Sequence, residues 1–204
     1  MKNDEIKIII LYLVKVIINS RVKNLIKVML MSEITKCLNE WNATIEALGQ
    51  GKQTILIRKY GTKINEFLLY PTISYANKED VLNSFQDDYK TFVKDNLLPV
   101  GENRTYEVKY YATVEEVIDT SSRKIGTFNK FHIWTQNHVK NYLFGRTNAK
   151  IWILRVYKLD EPQMLKRSEG MLYANVNNPV KLEGKPVISD KEFNKLKDDI
   201  LNTK

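Results

Sequence analysis

The clearest catalytic pattern in the chain is an acid and a lysine two residues apart, Glu107 and Lys109. On a strand both side chains would point to one face. A metal-dependent nuclease needs such a pair, because the carboxylate binds Mg²⁺ and the lysine steadies the phosphate or orients a water. The second acid that this chemistry needs would be Asp88 or Asp95. A Glu-x-Lys pair is also common on solvated strand faces, so the nuclease with its Mg²⁺ cofactor is the alternative hypothesis, and a non-enzymatic role is favoured.

Residues 120–159, called the basic segment below, concentrate the positive charge of the chain. They contain eight Lys and Arg and no Asp or Glu, which equals the formal charge of +8 carried by all 204 residues. The same segment contains seven aromatic residues and both histidines. Cations displace the counterions of phosphates and aromatic faces stack on bases, so the segment predicts a nucleic-acid partner, DNA or RNA. The alternative is that its aromatic residues are core and its cations form the solvated face.

Specific contacts follow from the nucleic-acid hypothesis. Trp134, with His132 or Phe131 beside it, is expected to stack on an exposed base. Arg58 and Arg155 have an equal alternative as structural cations, paired with Glu46 or with carboxylates of the sheet, because a buried arginine needs a partner. Lys130, Lys140 and Arg146 are expected to bind phosphates, and the full predicted contact set is Arg58, Lys59, Lys130, Phe131, His132, Trp134, His138, Lys140, Arg146 and Arg155.

The two histidines do not predict a metal site. His132 and His138 are six residues apart, a spacing that matches no common zinc pattern, and the basic segment has no cysteine or acid to complete a set of ligands. Nucleophile elbows, phosphate-binding loops and dinucleotide fingerprints do not occur in the sequence. The binding-module hypothesis therefore needs no cofactor.

Length and composition are those of an ordinary globular domain. With 43% hydrophobic and 27% charged residues, 204 residues are enough to bury one sizeable core. The single cysteine, Cys37, excludes an internal disulfide and favours a cytoplasmic location. The sequence leaves the oligomeric state open.

Residues 1–30 are predicted to be an extension outside the domain. The apolar run 6–18 is interrupted by two lysines and is shorter than the about 20 residues that cross a bilayer, so no integral membrane association is expected. The extension would be an amphipathic surface helix, a helix docked on the domain, or residues translated from an upstream start. Met31, followed by the helix-capping residue Ser32, is favoured as the natural start.

The spacing of apolar residues predicts an α+β fold with about five or six strands and three or four helices. The domain is expected to span residues 31–188, followed by a C-terminal amphipathic helix over 189–204 that opens with a capping box at Ser189. The chain is predicted to form helices over 34–48, 78–98 and 135–143, a strand pair over 53–59 and 66–70, and strands over 106–117 and 151–159.

Several sequence blocks, in this order and spacing, resemble the family named domain of unknown function 1802. The resemblance spans about residues 32–162. It implies a role in recognising or restricting foreign DNA, with a restriction endonuclease as a partner, because relatives occur with Mrr-like restriction endonuclease domains. The blocks are Glu40-Trp41-Asn42, Ile45-Glu46-Ala47-Leu48, Gly51-Lys52-Gln53, Ile57-Arg58-Lys59, Leu69-Tyr70-Pro71-Thr72, His132-Ile133-Trp134-Thr135 and Leu154-Arg155-Val156-Tyr157-Lys158-Leu159.

A weaker likeness connects residues 51–58 with the opening motif of ASCH domains, which bind RNA or modified bases. Gly51 and Arg58 match that motif, whereas Gln53 and Leu56 replace its lysine and glutamate. The likeness implies a PUA-like β-barrel as one form of the fold, with Arg58 and residues 128–146 lining one cleft. It does not support ASCH-type catalysis.

Three classes of function are therefore compared. The leading one is a nucleic-acid-binding module that recognises foreign or modified DNA, or RNA. A metal-dependent nuclease is the second. A protein-interaction scaffold is the third, and it predicts no salt-dependent affinity for nucleic acid.

Overall fold

The structure, a computed structural model, describes residues 33–203. Three predictions concern residues outside the described range: the extension over 1–30, the start at Met31 and the cap at Ser32. The strands are β1 Glu33–Trp41, β2 Ile55–Arg58, β3 Glu66–Thr72, β4 Gly101–Glu102, β5 Thr105–Ser121, β6 Asn148–Lys166, β7 Tyr173–Lys181 and β8 Gly184–Pro186. The helices are α1 Asn42–Gly49, α2 Lys90–Asp95, α3 Gln136–Tyr142 and α4 Asp190–Leu201, with 3-10 segments at Val81–Ser84, Asp87–Tyr89 and Ser122–Phe131.

All eight strands belong to one mixed sheet, which confirms the predicted α+β class. The main path of the sheet runs β2-β6-β5-β3-β1-β7, while β4 extends the sheet beside β5 and β8 beside β6. Strands β1 and β3 are parallel, with Cys37 opposite Leu68, whereas the pairs β3–β5, β5–β6 and β2–β6 are antiparallel. No helix in this part of the chain is long and apolar enough to cross a membrane.

The predicted PUA-like barrel is not formed, because the sheet stays open. The end of β6 approaches the outer strand β7, but the β-pairing there is limited to an isolated bridge between Arg167, just after β6, and Val176. A closed barrel requires a continuous ladder at every strand edge, which one bridge does not supply.

Apolar side chains form two clusters on the two faces of the sheet. Along β3, Phe67 and Leu69 belong to the larger cluster, which also receives apolar residues of α1, α3 and α4, whereas Leu68 and Tyr70 belong to the smaller one. This alternation is the two-residue period of a strand buried on both sides. The central strands are therefore fixed from both faces.

A β-bulge in β5 exchanges the faces to which its side chains point. Tyr106 and Val108 lie in the smaller cluster, but after the register shift between Val108 and Tyr110 it is Tyr111 that lies there. Tyr110 instead lies in the larger cluster, beneath α1. An inserted residue has this effect because it shifts the side-chain alternation by one position.

The prediction of one helix over 34–48 was wrong in its first half, where the chain forms β1. Cys37 and Leu38 are both fully buried, although they point to opposite faces of the sheet. Because both faces of β1 are covered, its apolar residues need not alternate with polar ones, and their spacing imitates that of a helix.

The helix predicted over 78–98 was also wrong, since only α2 and two 3-10 segments form there. Phe85 leaves the helical conformation and forms a β-bridge with Trp134. The predicted pairing of 53–59 with 66–70 does not occur, because β2 pairs with β6 and β3 pairs with β1 and β5. Both errors arise from long-range pairings that local spacing does not reveal.

The helix and strand predictions over 106–117, 135–143 and 151–159 are confirmed by β5, α3 and β6. Thr135 caps α3, accepting a hydrogen bond from the backbone N–H of His138 at 3.2 Å. Ser189 caps α4 in the same way, accepting from the N–H of Glu192 at 3.2 Å. Local capping chemistry located both helix starts correctly.

We expect Gly49→Ala to destabilise the domain. Gly49 ends α1 and is buried against Tyr110, so an added Cβ would overlap the tyrosine ring. Overpacking of this kind typically costs about 1–3 kcal/mol. The change is measured as the free energy of unfolding in urea.

Gly61→Ala is the matched control, because nothing lies within 4 Å of a Cβ added there. It should leave stability unchanged or raise it slightly. Equal stabilities of the two variants would contradict the packing of α1 on β5.

Candidate functional site

A cavity of about 140 Å³ lies where the ends of β1 and β2 meet α3. Strand β1 contributes an acid and an aromatic residue, β2 an arginine, and α3 with the loop before it most of the remaining wall. Three lining side chains, those of Trp41, His138 and Tyr142, are half-buried, so the cavity reaches the surface. It is lined by Glu40, Trp41, Ile57, Arg58, Trp134, His138, Val139 and Tyr142.

The cavity joins two parts of the chain that the sequence analysis placed in one cleft. Arg58 lines it together with Trp134, His138 and Tyr142 of the segment 128–146. The two parts do lie together, although the expectation came from a barrel analogy that the open sheet does not support, and their role in binding stays a prediction. The cleft is formed by α3 packing over the end of β2 and not by strands closing around it.

Side-chain hydrogen bonds fix the loop that carries Trp134. The Nε2 of Gln86 donates to three carbonyls between residues 129 and 134, at 3.0, 2.6 and 3.1 Å. From the other side, Gln53 accepts a hydrogen bond from the backbone N–H of Ile133 at 3.3 Å. A loop held by so many bonds gives the cavity a rigid wall.

A buried ion pair between Glu40 and Arg58 forms the polar part of the wall. Each side chain is only 9% exposed. The second carboxylate oxygen of Glu40 accepts from the backbone N–H of Trp41 at 2.8 Å. The Nε of Arg58 is buried and has no hydrogen-bond partner among residues 33–203. The wall therefore contains a carboxylate acceptor beside a guanidinium whose buried Nε has no partner among the described residues.

The charge of Arg58 is secured by its partner. Burial alone would lower the pKa of the Arg58 guanidinium, but the adjacent Glu40 carboxylate raises it by more, so the net shift is upward. Arg58 is consequently a permanent cation in a poorly solvated place, where electrostatic contacts with a ligand are stronger than in water.

Aromatic rings form the apolar part of the wall. Trp41 stacks on Tyr75 with a centroid separation of 4.3 Å, and the ring of His138 lies 5.2 Å from that of Trp41. Burial lowers the pKa of His138, and the nearby Glu40 carboxylate offsets part of that effect. His138 is thus a neutral ring near pH 7 and belongs with the aromatic residues.

The predicted stacking group is buried in this structure. Trp134 is 5% exposed, and Phe131 and His132 are buried beside it. An exposed base cannot stack on these faces, because neighbouring side chains of the larger cluster already cover them. For these residues the core alternative describes the structure, and of the three only Trp134 lines the cavity.

Six of the eight cations of the basic segment are exposed, among them Lys130, Lys140 and Arg146. Lys150 instead pairs with Asp119 at 2.6 Å. The exposed cations are accessible to a ligand. Their binding of phosphates stays a prediction.

Arg155 is a structural cation. It is buried, pairs with Asp190 at 2.6 Å and lies 4.6 Å from the ring centroid of Phe193, so it fastens α4 to β6. Its partner is neither Glu46, which pairs with Lys109, nor a carboxylate of the sheet, the two predicted alternatives.

The residues of the nuclease hypothesis do not converge. In the described part of the chain, no three His, Cys, Asp or Glu side chains gather closely enough to hold a metal ion. Lys109 is engaged by Glu46 and not by Glu107. Asp88 lies in a 3-10 segment and Asp95 at the end of α2, so neither is on a strand beside Glu107.

Several site residues were missed by the sequence analysis. Glu40 and Trp41 were quoted only for the family resemblance, and Phe144, which is 87% exposed, was not given a role. Val139 of α3 and Leu143, which follows the helix, are buried and four residues apart, and Phe144 lies outside that buried spacing, which was the available signal.

The chain belongs to the family described as a domain of unknown function (DUF1802), whose model matches residues 37–199. The family predicted from the sequence blocks is therefore confirmed. Five lining residues of the cavity come from those blocks: Glu40, Trp41, Ile57, Arg58 and Trp134. No curated protein matches the chain by sequence.

Among solved structures, the chain is similar to the ASCH protein of Zymomonas mobilis. That crystal structure is 12% identical with a TM-score of 0.40, and the similarity covers 80% of this chain and 93% of that one. Two single-residue variants of the same protein are also 12% identical over 80% of this chain, with TM-scores of 0.40 and 0.39 and coverage of 94% and 96% of their own chains. At this level the similarity assigns no function.

We predict that His132 makes stability fall in mild acid. Burial lowers its pKa from 6.5 to about 4. Between these values the unfolded chain binds a proton that the folded chain does not, so stability decreases as pH falls through this window and the effect is complete below pH 4. From pH 7 to pH 5 the loss should be about 2 kcal/mol, measured by urea unfolding at both values.

His132→Asn is the matched control. The asparagine oxygen can replace Nδ1, which accepts from the N–H of Trp134 at 3.2 Å, and it does not titrate. The variant should lose about 2 kcal/mol less than the wild type over the same pH interval. An equal loss in both proteins would show that other groups cause the acid sensitivity.

Proposed function

We propose that the chain is a nucleic-acid-binding module that takes one unstacked base into the cavity between β1, β2 and α3. The observation that carries the proposal is the composition of this cavity, in which aromatic rings surround a buried Glu40–Arg58 pair. The ligand would be single-stranded DNA or RNA, or a base displaced from a duplex.

The size of the cavity suits one aromatic ring. Its volume of about 140 Å³ is close to that of the roughly 150 Å³ cavity that accepts benzene in an engineered protein. A single-ring heterocycle therefore fits without rearrangement, whereas a purine would need the half-buried wall residues to move outward. The proposal accordingly favours a pyrimidine as the inserted base.

The chemistry of the wall suits a base edge. Glu40 can accept from an exocyclic amino group, and the guanidinium of Arg58 can donate to a ring nitrogen or carbonyl. Trp41 and Tyr142 supply faces against which the ring can stack. A buried acceptor and donor side by side reject partners that leave them unpaired, which is how a polar site gains selectivity.

The surface near the cavity suits the rest of the strand. Lys140 precedes the cavity residue Tyr142 on α3, and Phe144 and Arg146 follow it, all three exposed. Lys59 lies over the ring of Tyr142, 5.1 Å from its centroid. Cations and an exposed ring on either side of Tyr142 can bind phosphates and stack on a neighbouring base.

A setting in restriction or defence against foreign DNA, with a restriction endonuclease as partner, stays a prediction from the family resemblance. Recognition of a modified base belongs to the same prediction. The nuclease hypothesis gains no support from the positions of Glu107, Asp88 and Asp95 described above.

The full chain should bind fluorescently labelled oligonucleotides in chelator, with an affinity that falls as salt is raised. Each phosphate neutralised on a single strand contributes about −0.7 to the slope of log K against log salt. Fluorescence anisotropy with oligo-C, oligo-U, oligo-A and duplex probes, at several salt concentrations, measures both the slope and the preference. Absence of binding at low salt would leave the scaffold hypothesis.

Trp41→Leu should weaken binding of single-stranded probes by about 1–3 kcal/mol, the usual contribution of one stacked base. The same anisotropy assay measures the loss, and urea unfolding confirms that the variant is folded. A loss confined to probes containing pyrimidines would further support the single-ring cavity.

Tyr157→Leu is the matched control, because Tyr157 is also half-buried and stacks on a tyrosine, Tyr111, at 4.8 Å, but does not line the cavity. It should bind like the wild type. If both variants lose the same affinity, the loss reflects general destabilisation and the cavity is not the base site.

A further inference from the structure

A second cavity, of about 450 Å³, also lies against Trp41. The two cavities share the lining residues Glu40 and Trp41, so they are neighbours. Two arginines outside the basic segment, Arg104 and Arg167, line the second cavity. Neither was singled out by the sequence analysis.

Arg167 is a half-buried cation without an acidic partner. Its Nη1 donates to the carbonyls of Ser168 and Gly170, at 3.0 and 3.3 Å, and its guanidinium lies 5.7 Å from the ring centroid of Tyr70. Within residues 33–203 no carboxylate lies within ion-pair distance of it, since none of the described ion pairs includes Arg167. A partly desolvated arginine that has no carboxylate partner favours binding of an anionic ligand.

Arg104 is brought to the same cavity by an unusual turn. Asn103 and Arg104 join β4 to β5 with φ angles of 52° and 61°, a left-handed conformation that a non-glycine residue adopts at some cost. Arg104 is 60% exposed and its partner Glu169, at 3.3 Å, is 91% exposed. An ion pair so exposed is weak, so a phosphate can replace the carboxylate.

The remaining polar groups of the cavity also suit a ligand. The side-chain oxygen of Asn39 is buried and has no hydrogen-bond partner in the described part of the chain. Among the described residues that line the cavity, Glu40 is the one carboxylate, and Arg58 neutralises it. The cavity therefore offers Arg167, which has no acidic partner among the described residues, and Arg104, whose partner Glu169 is exposed, while its lining carboxylate is neutralised.

We infer that the second cavity holds the sugar–phosphate backbone next to the inserted base, with Arg104 and Arg167 binding its phosphates. The inference rests on the proposed function, because it places the strand whose base fills the first cavity. It adds a direction of travel: from the cavity beside α3, past Trp41, to the turn between β4 and β5. Arginine suits this role because its planar donors match two phosphate oxygens at once.

The test uses the full chain and single-stranded oligonucleotides in which one phosphate at a time is replaced by a neutral methylphosphonate. Binding of each probe is measured by anisotropy for the wild type, for Arg104→Gln, and for the double variant Arg104→Gln with Arg167→Gln. Lys181→Gln with Lys185→Gln is the control pair, since both lysines are exposed and line neither cavity.

The double variant should lower the magnitude of the salt slope by about 1.4, the value for two phosphates of a single strand, and Arg104→Gln alone by about half as much. The neutral linkages that weaken wild-type binding should be adjacent, and they should have no further effect in the double variant. The lysine control should leave the position dependence of the neutral linkages unchanged. Arg104 is exposed, so its single variant stays informative even if the double variant fails to fold.

Three outcomes would overturn the inference, and they differ from failure of the proposed function. If the wild type binds but the arginine variants keep its slope, the backbone follows another path. If neutral linkages matter equally at all positions, no phosphate site exists. Displacement of the strand by an acidic peptide of equal charge, with equal affinity, would assign the arginines to a protein ligand. If the wild type binds no probe, the proposed function itself has failed.

Discussion

The candidate site depends on the ion pair between Glu40 and Arg58. The two residues sit at the ends of β1 and β2, strands that are separated in the sheet by β3, β5 and β6. Their side chains meet only because the sheet curls and brings those ends together on one face. Removing one partner of such a buried pair typically costs about 3–5 kcal/mol, because an uncompensated charge is left inside. The Glu40–Arg58 ion pair thus holds the ends of β1 and β2 together and also forms the polar wall of the cavity.

Stability alone does not explain this pair. A buried ion pair can often be replaced by apolar residues of similar volume with little loss, and sometimes with a gain. Here the pair also lies beside an open cavity, and the Nε of Arg58 has no partner among the described residues. A structure selected only for stability would fill that space with side chains. The incomplete packing and the unused donor therefore support a ligand at this position.

Local patterns in the sequence predicted those parts of the structure that local chemistry determines. Thr135 and Ser189 cap helices as expected, and the alternation after Thr105 gave a strand. The region from Glu33 to Gly49 could not be predicted in the same way. Its apolar spacing fits a helix, but burial of both strand faces produces the same spacing, and only pairing with β3 decides between them. Long-range pairing also broke the helix expected around Phe85.

The candidate site was predicted only in part for a related reason. Charge counting located the exposed cations of the basic segment, because charge on a surface is visible in the sequence. It could not distinguish aromatic residues that stack on a ligand from those that pack inside, and Trp134 proved to be buried. The acid that completes the cavity, Glu40, lies far from the basic segment in sequence and reaches Arg58 only in the folded sheet.

The positions of the two cavities give the basic segment a more limited role than its charge suggests. Its cations Lys140 and Arg146 lie on either side of the cavity residue Tyr142 in the chain. Arg104 and Arg167, outside that segment, lie next to the paired residues Thr105 and Lys166 at one end of the β5–β6 ladder and line the second cavity. Trp41 stands between them as the wall that both cavities share. A strand bound along this line would meet cations on both sides of one inserted base. Affinity would then come from dispersed phosphate contacts, and selectivity from the single buried pair beside that base.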